Sequence, residues 1–148
     1  MCGLIAVVPA YDDVVPGADA VRTMLAAAAE HSSGLAAAGS ATAASSALRQ
    51  LNDDLRLLVE TLTTAGASHL LATDGALRTA AVERMDAVTG QLQATDAMLD
   101  TDRPDWSADE VERLQTELRL AQDLAWTLRE DRLRAAERVL ALAGPTPG

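Results

Sequence analysis

The sequence predicts a mainly α protein: an antiparallel helical bundle of three long helices and one shorter, preceded by a single N-terminal β-strand. Two observations carry the helical part. Leucine, alanine, valine and methionine recur at alternating three- and four-residue steps, which lays an apolar seam along one face of each long helix. Aromatic residues make up only 2% of the chain and phenylalanine is absent, a balance that favours helices over sheets. The third observation sits at the start. Leu4-Ile5-Ala6-Val7-Val8 is a short apolar run, rich in β-branched residues and stopped by Pro9, and reads as a buried strand.

Residues 1–10 therefore form the strand unit and residues 11–148 the helical segment. Tyr11, Asp12, Asp13 and Pro16 mark a loop leaving the strand. The first helix is expected over 18–31, with Asp19 in its first turn, where a negative charge suits the helix dipole. Val21, Met24, Leu25 and Ala28 share one face. Residues 32–46 are rich in serine, alanine and glycine, and read either as a flexible connection or as a weak alanine helix.

The second helix, over about 45–65, carries the seam Leu48, Leu51, Leu55, Leu58 and Leu62, with Gly66 as its stop. A short helical turn follows over 68–73. The third helix spans about 76–100, with Leu77, Ala81, Met85, Val88, Leu92, Thr95 and Leu99 in step and Gly90 as a weak point. After a turn at residues 101–106, Ser107 and Glu110 stand at the spacing of a capping box, and Trp106 is placed to staple onto Val111. The fourth helix is expected over 108–143, with a seam of Val111, Leu114, Leu118, Ala121, Ala125, Leu128, Ala135, Val139 and Leu142. Arg132 interrupts that seam, either setting register or meeting a carboxylate across it. Gly144, Pro145 and Pro147 stop it.

The 148 residues are one domain's worth, and the formal net charge of −10 argues against nucleic acid and against an anionic membrane surface. All 12 basic residues are arginine. The single cysteine leaves no intrachain disulfide and fits the reducing cytoplasm. No basic n-region precedes the first apolar run, and no 18-residue apolar stretch exists. His31 and His69 lack ligand-spaced partners, so no metal is expected. Asp12-Asp13 and Asp53-Asp54 read as solvated charge, because adjacent residues do not face one another on a helix. Neither a nucleophile elbow, a Walker loop nor a dinucleotide fingerprint is present, and no cofactor is expected.

Cys2 is the one residue with a reaction to offer. Once Met1 is removed, its thiol lies beside its own α-amino group. A free thiol titrates near about 8.5 and an α-amino group near about 7.7–8.0, so the amine accepts the thiol proton near neutral pH. Gly3, without a Cβ, lets other backbone approach the reacting carbon. The alternative for Cys2 is a small buried hydrophobe within the strand.

Cys2-Gly3-Leu4-Ile5 followed by an apolar strand resembles the start of the class II glutamine amidotransferases, the N-terminal-nucleophile glutaminases. Among them it is most similar to the glutamine–fructose-6-phosphate aminotransferase (glucosamine-6-phosphate synthase) family. The resemblance covers the first eight to ten residues. It implies that the strand belongs to an α/β sandwich that is incomplete here, and that Cys2 attacks the glutamine side-chain carbonyl. Ammonia would then pass to a sugar phosphate such as fructose 6-phosphate, at a separate isomerase domain.

The family's substrate arginine, its Asn-Gly oxyanion pair and its Arg-Gly-x-Asp-Ser-x-Gly segment have no counterpart, since Asn52, the sole asparagine, precedes Asp53. The glutamine-binding residues are therefore unknown, and the segment alone is expected to be inactive. Some large relatives carry a helical insertion behind the nucleophile strand, and Trp126–Leu133 resembles its closing part. On that reading the chain is the N-terminal piece of a longer enzyme. The second hypothesis is a non-enzymatic acidic bundle that docks on another protein, with Cys2 incidental. Self-association or helix-mediated assembly through the seams is open under either.

Overall fold

The structure, a computed structural model, describes residues 17–101 and 105–143. The N-terminal strand, Cys2, Asp12-Asp13 and the Gly144-Pro145 stop lie outside the described residues, as do the side chains of 101, 139 and 143. The described part is mainly helical: α1 (Ala18–Ala36), α2 (Ala41–Leu62), α3 (Ala65–Thr73), α4 (Gly75–Thr101), α5 (Ala108–Trp126), a π-helical segment (Thr127–Leu133) and α6 (Arg134–Ala143). No strand occurs among these residues.

Several helix boundaries have a side-chain cause. α1 runs five residues past the expected end. Ser32 and Ser33 turn their hydroxyls back to the Ala29 carbonyl (2.8 and 3.1 Å) instead of competing for other backbone, and Leu35 is buried. The break falls at residues 37–40, where Ser40 caps α2 by accepting from the Ala43 amide (3.1 Å). α2 ends at Leu62, not at Gly66. Thr64 caps α3 through the Ala67 amide (3.2 Å), which draws Gly66 into the first turn of α3.

The tight joint between α3 and α4 is closed from both sides. Arg78 Nη1 donates to the Leu71 and Ala72 carbonyls (2.8 and 3.3 Å), and Asp74 Oδ1 accepts from the Leu77 amide (2.9 Å). The capping box at the start of α5 forms as its spacing requires. Glu110 accepts from the Ser107 amide (2.8 Å), and Ser107 Oγ accepts from the Glu110 amide (3.2 Å). Trp106 packs half-buried against the core.

The seams meet in one core. α1 packs on α2 and α4, and α5 packs on the same two helices, with α3 and the π segment closing the far end against α4 and α6. Leu48, Leu51, Leu55, Leu58 and Leu62 of α2 are buried to 1% exposure or less, and so are Leu77, Ala81, Met85, Val88, Leu92 and Leu99 of α4. Full burial of each leucine contributes roughly 1.5–3 kcal/mol relative to exposure.

The last helix departs from the expected seam. Up to Leu128 the buried positions alternate in steps of three and four. The next regular positions are Asp131 and Arg132, and burying either without a partner is costly. The backbone instead widens into the π segment, with the Arg134 amide donating to the Arg129 carbonyl five residues back. That inserts one extra residue. Leu133 and Ala136 enter the core, while Ala135 faces solvent and Leu142 is 88% exposed. Arg132 lies off the buried seam, half-buried and with no carboxylate partner among the described residues. The side chain of Val139 is outside the described set.

The shift is open to a paired test by urea denaturation. Leu133→Ala is expected to cost about 2–5 kcal/mol as a core truncation. Leu142→Ala should stay within about 0.5 kcal/mol. The reverse order would place the uninterrupted seam in the core.

Candidate functional site

Cys2, the one catalytic residue the sequence nominates, lies outside the described residues. The chemistry-bearing side chains that the fold does gather come from helices far apart in sequence. His31 of α1 bonds through Nδ1 to Asp54 Oδ2 of α2, both partly buried. Asp54 is therefore a tether between helices and not the solvated charge its sequence neighbourhood suggests, whereas Asp53 does face water. Ser32 and Ser33 donate their hydroxyls to the Ala29 carbonyl and not to the pair. The pair fastens α1 to α2.

Asn52 is the buried polar residue at the centre of α2, 2% exposed. Its Nδ2 donates to both the backbone carbonyl (3.1 Å) and the carboxylate (2.9 Å) of Glu117 on α5. Its Oδ1 is buried without a partner among the described residues. An amide fixed this way selects one sliding register of α2 on α5, as a lone polar residue does in a coiled-coil seam. Sequence reasoning placed Asn52 inside a helix but missed this role.

Among the concave places on the described residues, three bear on chemistry. One, of about 340 Å³ between the starts of α2 and α5, is lined by Thr42, Ser45, Ser46, Arg49, Asp53 and Arg113, among others. Its two arginines are exposed. A second, of about 380 Å³, lies between α4 and α5 beside Leu92, Gln122, Trp126, Arg129 and Glu130. Here Trp126 is 61% exposed, and Arg129 pairs with Asp86 across the groove's edge.

The third, of about 320 Å³, lies where α3 meets the π segment, lined by Ser68, His69, Ala72, Asp131, Arg132, Ala135 and Ala136. Arg132 Nε is buried there with no hydrogen-bond partner among the described residues. Here the fold brings Arg132, Asp131, His69 and Ser68 to one space, the Ser68 hydroxyl donating to the Thr64 carbonyl (3.3 Å). The signal for it in the sequence was the arginine at a seam position; His69, read alone, gave none.

Among the described residues no cluster of three or more His, Cys, Asp or Glu side chains is placed to hold a metal. No helix of these residues is long and apolar enough to cross a membrane. Comparison of the chain with protein families, curated proteins and solved structures finds no match.

Asn52→Asp removes both donors to Glu117 and sets a second carboxylate against it in the core. The variant is expected to lose about 3–5 kcal/mol. Asn52→Leu removes the amide and its orphaned oxygen together, and Glu117 is near enough to solvent to rehydrate, so its change should stay within about 1 kcal/mol. Equal losses in the two variants, read by thermal unfolding, would deny Asn52 the role described.

Proposed function

We propose that Cys2 is the N-terminal nucleophile of a glutamine amidotransferase similar to the glutamine–fructose-6-phosphate aminotransferases, and that residues 18–143 are an antiparallel helical bundle attached to that nucleophile. The observation that carries the reading is the run Met1-Cys2-Gly3-Leu4-Ile5 at the head of an apolar stretch of sequence. The helical part is consistent with it. Its apolar faces cover one another, and it holds no strand among the described residues. The partners that the Leu4–Val8 run needs, and the sandwich that binds glutamine, therefore have to come from outside residues 17–143.

In the proposed reaction the α-amino group of Cys2 takes the thiol proton, and the thiolate attacks the side-chain amide carbon of glutamine. A C–S bond forms, the C–N bond breaks, and the nitrogen leaves as ammonia after receiving a proton from the α-ammonium group. Water then attacks the thioester, releasing glutamate and restoring the thiol. Donors for the oxyanion and the carboxylate clamp belong to the remainder of the enzyme. The acceptor of ammonia would be a sugar phosphate such as fructose 6-phosphate. The work takes place in the cytoplasm.

One observation favours a second reading, a docking module. Leu57 and Trp126 are large apolar side chains left at least half exposed on an acidic helical surface. In that case Cys2 has no reaction.

A diazo-ketone glutamine analogue separates the two. It is expected to label Cys2 of the complete enzyme, whose intact mass should lack Met1, and to give no label after Cys2→Ala. Retention of Met1, or labelling that survives Cys2→Ala, overturns the nucleophile.

A further inference from the structure

We propose that the cavity between α3 and the π segment is a binding site for a small oxyanion, a phosphate or carboxylate group received by Arg132. The proposal is independent of the chemistry at Cys2. The charge pattern points to it. In a chain of net charge −10, Arg22, Arg129 and Arg134 each find a carboxylate, Arg134 holding Glu130 at 2.7 Å, while Arg49, Arg56, Arg84, Arg113, Arg119 and Arg138 have no such pair among the described residues but lie exposed to water. Arg132 finds none, and makes neither an ion pair nor a hydrogen bond among the described residues. Its Nε is sealed from water, so solvent does not satisfy that donor.

A guanidinium presents donors in a planar fork that matches carboxylate and phosphate oxygens two at a time. An oxyanion in the cavity would be met by the Nη ends of the fork, because Nε has no surface open to a water-sized atom. Ser68, whose hydroxyl donates to the Thr64 carbonyl (3.3 Å), and His69, both exposed on α3, line the same space. Ala72, Ala135 and Ala136 keep the lining small, with about 320 Å³ open, the space of a small metabolite.

The π segment supports the same assignment. Such turns are frequent at functional sites, and this one takes Arg132 out of the core and sets it on the cavity wall. Asp131, also on the wall, carries the opposing charge. It is exposed, and repels a bare anion at short range.

The test is titration of the full 148-residue chain with inorganic phosphate, and separately with acetate, at constant ionic strength. The readout is the NMR signals of Arg132 Nε–H and the His69 ring. Saturable shifts of both signals are expected with at least one of the two anions; the tighter one tells a tetrahedral from a planar head group. Arg132→Gln should weaken binding about tenfold or more, since it removes a charge-assisted fork. Arg132→Lys keeps the charge and loses the fork, and should fall between. Asp131→Asn should bind more tightly than the parent, and Arg113→Gln, in the other cavity, should bind as the parent does. Absence of saturable shifts in the parent overturns the site. So does binding unchanged in both folded Arg132 variants.

Discussion

The leucine stripe of α2 is the constraint on which the other helices depend. Its five leucines face α1 on one side and α5 on the other, and α4 closes the core by packing against those two. A stripe of this kind attracts any apolar face without specifying how the partner slides along it. The specification comes from polar groups at its edges. His31–Asp54 fixes α1 against α2, and Asn52–Glu117 fixes α5 against α2. Hydrophobic burial supplies the drive and these few directional contacts supply the register.

Much of this was legible in the local pattern. The seams of α2 and α4 are buried residue for residue as their three- and four-residue steps require, because a helical face is a property of consecutive sequence. The capping box of α5 was legible for the same reason. What escaped was non-local or involved weak competition. The extension of α1 depends on two serines bonding back to Ala29, and the early end of α2 depends on Thr64 outcompeting Gly66 as punctuation. The pairs His31–Asp54 and Asn52–Glu117 join residues 23 and 65 positions apart, which no periodicity encodes.

The π segment lies between these cases. An arginine at a seam position signals a conflict, but two resolutions are open to it: a carboxylate across the seam or a displaced register. Only the packed neighbours decide. Here Leu133 and Ala136 fill the core better than Arg132 and Ala135 would, so the chain accepts a local break in its regular hydrogen bonding. The same displacement gives the cavity beside α3 its cation. The catalytic reading, by contrast, rests on Cys2 and its neighbours in sequence. The helical part has no strand among the described residues.

The central claim is that the core seam governs the backbone of the last helix, so that one residue there is supernumerary. Deleting Asp131 tests this most directly. It brings Leu133 four positions after Leu128, and a continuous α-helix then buries the same apolar set. The variant is expected to unfold in urea within about 1 kcal/mol of the parent, while deletion of the exposed Arg119, which throws every later seam residue out of step, should cost about 3 kcal/mol or more. Comparable losses from the two deletions would contradict the account.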